Sequence, residues 1–209
     1  LTLKVTNETA PTLTSADNLL KLDGFTSVKV NASAVTAISG TAAELKELVA
    51  AKGVEVAKGV NITVDPTIAT TASDLATILK STLGKVTAAT VTADTAAKLN
   101  AALKDANSTD ALILKVDGTT ATAKDLISLD GKTSVDIILN VGAITGNIAE
   151  ITKVFVDDAN NFDGEQTTAA TISGEITAAQ ADAVADVTSG VVTATIKADS
   201  AAVLNAALI

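Results

Sequence analysis

The run Asp157-Asp158-Ala159-Asn160-Asn161-Phe162-Asp163-Gly164 is the most site-like stretch of the chain. Calcium takes about six to eight oxygen ligands, so Asp157, Asp158, Asn160, Asn161 and Asp163 are candidate Ca²⁺ ligands beside a glycine that suits a turn. The helix–loop–helix calcium register is not met. Counted from Asp158, Phe162 falls on a ligand place, and Ala169 stands where the twelfth-position Glu belongs. The competing reading is an acidic surface turn.

Other chemistry is limited by the residue alphabet. There is no His, Cys, Met, Trp, Tyr or Arg, and all 15 basic residues are Lys. Imidazole bases, thiolate nucleophiles and the guanidinium fork are therefore missing. With three Phe as the only aromatics, Phe25, Phe155 and Phe162, stacking platforms for bases or sugars are scarce. Any catalytic site must come from Asp, Glu, Lys, Ser, Thr and Asn. No nucleophile elbow, phosphate-cradling Gly loop or paired-carboxylate motif stands out, so the expectation is no catalytic residue, no cofactor and no enzyme.

Weaker patterns have ordinary explanations. Asn7-Glu8-Thr9, Asn31-Ala32-Ser33, Asn61-Ile62-Thr63 and Asn107-Ser108-Thr109 match the glycosylation sequon, a frequent chance match in a chain rich in Thr. Asp23-Gly24, Asp117-Gly118 and Asp130-Gly131 read as turn pairs. Thr90-Val91-Thr92, Thr120-Ala121-Thr122 and Thr193-Ala194-Thr195 place hydroxyls on one strand face, and read as strand formers.

A net charge of −9, with the lysines scattered, repels phosphate backbones and anionic membranes. No nucleic-acid partner is expected. No apolar run approaches the roughly 18 residues of a membrane span, so no membrane insertion is expected in this segment. Ala and Thr supply 72 of the 209 residues, yet 47% of the chain is hydrophobic. It should therefore fold, around aliphatic side chains. Absence of sulfur suits a product made in bulk, as external coats and filaments are.

These residues sit within a recurring phrase: a small polar residue, usually Ala next, two variable places, then an aliphatic residue. It appears as Ser15 to Leu19, Thr41 to Leu45, Thr71 to Leu75, Thr95 to Leu99, Thr122 to Leu126, Asn147 to Ile151, Thr177 to Ala181 and Ser200 to Leu204. Six of the eight carry Asn, Asp, Glu or Gln at the fourth place, the capping-box arrangement that satisfies free amides at a helix start. Helical spacing follows, with Gly53 and Gly84 placed as C-terminal stops. Such helices span two to three turns and need support from a packed surface.

Between them lie strand-like runs: Val28 to Val30, Val60 to Val64, Val86 to Thr92, Leu112 to Val116, Val135 to Leu139, Val154 to Val156 and Val191 to Ile196. Strands alternating with helices predict an α/β fold with a mostly parallel sheet. Alternating polar positions and short helices favour a repetitive strand-helix solenoid over a doubly wound domain. The expected form is a leucine-rich-repeat-like horseshoe or rod, with its helices on one side and without that family's Leu signature. Residues 1–209 read as a single array of about eight strand-helix units, an internal fragment of a longer chain.

Gly174-Glu175-Ile176-Thr177-Ala178-Ala179-Gln180 and Ser189-Gly190-Val191-Val192-Thr193-Ala194-Thr195-Ile196 resemble repeats of giant Ala/Thr-rich bacterial cell-surface proteins. These are of the S-layer-like and adhesin type found in marine cyanobacteria. The resemblance implies export and a structural role at the cell surface, with neighbouring copies or adjacent repeats as partners. It supplies no site residue. Alternatives from other classes are a glycan- or protein-binding module, a carboxylate-based enzyme acting on polysaccharides, and an intracellular scaffold.

Overall fold

The computed structural model describes residues 3–6, 14–157 and 161–208. It is an α/β protein in which every recorded strand pair is parallel. The chain divides into two compact units. The first holds residues 1–92, 102–113 and 132–134; the second holds 93–101, 114–131 and 135–209.

The first unit contains β1 (Leu3–Lys4), β2 (Thr14–Ser15), α1 (Ala16–Gly24), β3 (Val30–Ala32), β4 (Ala37–Gly40) and α2 (Ala42–Ala50). It continues with β5 (Val54–Val56), β6 (Asn61–Val64), α3 (Ala72–Ser81), β7 (Val86–Thr90) and, after an excursion, β8 (Ala111–Ile113). In chain order α4 (Ala96–Ala102) precedes β8 and lies almost wholly in the second unit. The first unit's strands form two sheets, ordered β1-β3-β5 and β2-β4-β6-β7-β8. Val30 pairs with Val54, Ile38 with Ile62, and Ile62 with Val86, each 24 residues further on. Aliphatic side chains thus stack on aliphatic side chains from strand to strand. All five of these residues are buried, and each such burial is worth about 1.5–3 kcal/mol against exposure.

The second unit adds β9 (Lys115–Thr122), α5 (Ala123–Asp130), β10 (Ile137–Asn147), α6 (Ile148–Phe155), β11 (Phe162–Asp163) and a single 3₁₀ turn, Glu165–Thr167. It ends with β12 (Ala169–Ile176), α7 (Ala178–Ala185), β13 (Val192–Ile196) and α8 (Ala201–Ala207). Its sheet runs β11-β10-β12-β13, with β9 also pairing β10.

Each of the eight recurring phrases starts one of the eight α-helices found among the described residues. Seven of them show the side-chain cap: Ser15, Thr41, Thr71, Thr122, Asn147, Thr177 and Ser200 each accept from the amide three places on. Thr41 with Glu44, Asn147 with Glu150, and Thr177 with Gln180 form complete capping boxes. The aliphatic fifth residue points into the core in the first seven phrases, from Leu19 to Ala181.

Four expectations are corrected. Val154 and Phe155 end helix α6, because the capping box at Asn147 starts a helix whose apolar stripe runs Ile151, Val154, Phe155. Two strands, not one, separate α1 from α2 and α2 from α3, so the first unit has two sheets. Asp117-Gly118 lies within strand β9, where Gly118 takes φ +150°, and is not a turn between elements.

The last correction concerns Gly53 and Gly84, which lie beyond the helix caps Ala51 and Thr82 and do not adopt the left-handed conformation. They serve close approach instead. A methyl group at Gly84 would meet the Val60 carbonyl oxygen at 2.3 Å, and one at Gly53 would collide with the Asp23 carboxylate.

Candidate functional site

The oxygen-rich stretch is only partly described. Asp158 and Asn160 lie outside the described residues. Asp157 is exposed just after α6, its amide donating to the Thr152 carbonyl at 3.0 Å. The Asn161 side-chain amide donates to Asp130 Oδ1 at 2.8 Å, and its carbonyl accepts from the Ile137 amide. Asp163 belongs to β11 and pairs with Ile138. Asn161 is thus engaged with the end of α5 and Asp163 with the sheet. Among the described residues, no three acidic, His or Cys side chains are gathered closely enough to hold a metal ion.

The polar side chains that the fold does bring together sit at junctions between successive segments. Thr82 follows α3, and its hydroxyl donates back to the carbonyls of Lys58 and Val60 while accepting from the Gly84 amide at 2.9 Å. Thr188 follows α7 and does the same. Its hydroxyl reaches the carbonyls of Thr168 (2.9 Å) and Glu165 (3.2 Å) and accepts from the Gly190 amide at 3.0 Å. Thr133, after α5, donates to the Leu112 carbonyl and accepts from the Leu112 amide. All three threonines are buried. Each hydroxyl satisfies backbone groups that the strand ladder leaves open, which is what a buried polar backbone requires.

Asp110 is the most deeply buried of these polar groups, 1% exposed. Its carboxylate accepts from the Val86 amide (2.8 Å), the Asn107 amide (3.0 Å) and Asn107 Nδ2 (3.1 Å). The Ser134 amide and hydroxyl both bond the Asp110 carbonyl. One acid thereby ties three points of the first unit together.

Glu165 is the second buried acid. Oε1 accepts from Gln166 Nε2, while Oε2 is buried without a hydrogen-bond partner. Burial pushes its carboxyl above the usual glutamate range, and the nearby charges of Asp163 and Asp136 push the same way against the pull of its own backbone amide. The preceding Gly164 has φ +107°, and a methyl group there would meet the Leu139 carbonyl oxygen at 2.7 Å.

Ion pairs lie at the surface. Lys46 on α2 bonds Asp74 on α3 and, with Thr71, holds the Asp74 carboxyl below its ordinary range. A cavity of about 190 Å³ in the first unit is walled by Leu45, Leu48, Val54, Val60 and Ile62, with Ser81 contributing a hydroxyl.

Sequence reasoning missed the junction residues, although a signal for them exists. Thr26-Ser27-Val28, Thr82-Leu83-Gly84, Thr133-Ser134-Val135 and Thr188-Ser189-Gly190 are a second recurring phrase, each just after a helix. Comparison of the chain with known protein families, with curated proteins and with solved structures gives no match.

Proposed function

We propose that the chain is a non-enzymatic, extracellular structural segment of a cell-surface layer or giant adhesin, built as a strand-helix solenoid. The observation that carries this reading is the 24-residue parallel register through Ile38, Ile62 and Val86. A chain that meets itself 24 residues on along β4, β6 and β7, and that closes the junctions after α3, α5 and α7 with Thr hydroxyls, buries its apolar edge segment against segment. Polar effort goes into junctions, and the −9 charge keeps the outside hydrated. Copies or adjacent repeats of the same kind are the partners that such a ladder accepts.

Two measurements test it. A globule of 209 residues has a radius of gyration of about 17 Å; small-angle scattering of the monomer should exceed that clearly, and a value at the globular figure would sink the solenoid. Antibody labelling of intact producing cells should reach the segment. Labelling only after permeabilisation would place it inside and end the coat-or-adhesin reading.

A further inference from the structure

The cavity of the first unit is walled by residues between Ile38 and Ser81 alone, well inside the chain. Segment length explains where it lies. Between α1 and α2, and again between α2 and α3, the chain forms two strands, but only Thr82 to Lys85 separate α3 from β7. The sheet β1-β3-β5 therefore stops at β5, and among the described residues no strand pairs with β5 besides β3. Val54 and Val56 of that last strand form one wall of the cavity.

The lining decides what could enter. Only two side chains in the wall carry donors. The Ser81 hydroxyl donates to the Ile78 carbonyl at 2.6 Å, and Lys58 is exposed, so its ammonium stays in water. A charged or strongly polar guest would lose its hydration without gaining side-chain partners. An apolar guest loses nothing. A dry cavity of about 150 Å³ with apolar walls admits benzene, and this one offers about 190 Å³.

The second unit shows which shape suits the place. Val49 stands eight positions after the cap Thr41, and Phe155 eight positions after the cap Asn147. Val54 makes the first pair between the strands that follow α1 and α2, and Phe162 the first pair between the strands that follow α5 and α6. Phe155 and Phe162 are 4% and 7% exposed, whereas Val49 is 42% exposed. The second unit thus covers its core with two phenyl rings of its own, where the first has two valines and an opening.

We propose that this cavity is a binding site for a small, neutral aromatic molecule of one or two rings, taking the part that Phe155 and Phe162 play in the second unit. The guest is held by aliphatic contact alone, as in most small-molecule pockets, where apolar walls supply the bulk of the contact. Because it binds the folded chain, it also stabilises the first unit.

Indole is the probe. The chain has no Trp or Tyr and adds no emission of its own in the indole range, so fluorescence reads burial of the probe directly. Emission should move to shorter wavelength, saturate at equimolar protein and be matched by a rise in melting temperature. Val54→Phe, which copies Phe162, should fill the space and weaken binding about tenfold or more while the protein still melts cooperatively. Val49→Phe, which copies Phe155 at a position open to solvent, should do the same, and it decides alone if Val54→Phe does not fold. No shift up to the solubility limit of indole would overturn the site. So would a shift that persists undiminished in the folded variants, because the probe would then be bound elsewhere.

Discussion

Asp110 Oδ1 accepts the Val86 amide at 2.8 Å, joining residues 24 apart through a side chain where a strand would have used its backbone. The carboxylate also takes two donors from Asn107, so three N–H groups depend on one buried acid. Asp110→Ala strands those donors, and a buried unsatisfied donor costs about 1–3 kcal/mol. Urea unfolding should show a loss of ~3 kcal/mol for Asp110→Ala and a smaller loss for Asp110→Asn, which keeps one acceptor. Equal stability of Asp110→Ala and the wild type would mean that the network carries no weight.

Gly84 and Gly190 should not tolerate a methyl group. Each would place Cβ 2.3 Å from a backbone carbonyl oxygen, that of Val60 or Thr168. Backbone cannot step aside as a flexible side chain can, so Gly84→Ala and Gly190→Ala should each cost about 2 kcal/mol or more. Gly59, with open space around its Cβ direction, is the control and should change little. Thermal melting of the three variants makes the comparison.

Thr188→Val keeps shape while removing the hydroxyl that bonds the carbonyls of Thr168 and Glu165 and the Gly190 amide. The expected loss is ~1–2 kcal/mol. Hydrogen exchange should place the added opening at the Gly190 amide and its neighbours, not at β9 or α5.

The pH dependence of Glu165 runs against ordinary acid denaturation. Its folded carboxyl titrates above its unfolded value, so stability falls as pH rises through the window between the two. Above that window the burden is constant. Glu165→Gln should therefore raise stability at neutral pH by ~1 kcal/mol, and the advantage should vanish below the ordinary glutamate range. Asp74 runs the other way: Lys46 and Thr71 lower its carboxyl, so its contribution is full above the ordinary aspartate range and is lost as pH falls further. With both partners more than a third exposed, Lys46→Ala should cost only a few tenths of a kcal/mol, less at high salt. Chemical unfolding across the acidic range checks both signs.

The helices were legible because a cap is local. Thr41 and Glu44 are three residues apart and announce α2 without reference to anything distant. Strands were legible only where β-branched residues cluster, as at Asn61–Val64. β4, written Ala37-Ile38-Ser39-Gly40, is a strand because Ile62 lies beside Ile38, and that partner is 24 residues away. Val154-Phe155-Val156 has strand composition, but its first two residues inherit their helix from Asn147 upstream. The candidate calcium residues stand out by composition alone, whereas Asn161 is placed by Asp130, 31 positions earlier. Thr82, Thr133 and Thr188 look like any of the 32 threonines until the backbone groups that they serve are in view.

The three junction threonines share a direction. Thr82, Thr133 and Thr188 each donate to carbonyls 20 to 24 residues earlier in the chain. A polypeptide released amino end first, whether from a ribosome or through a narrow export channel, thus finds every acceptor laid down before the hydroxyl that needs it. The Val86 amide runs the other way and must wait for Asp110, so each new segment also completes the one laid down before it.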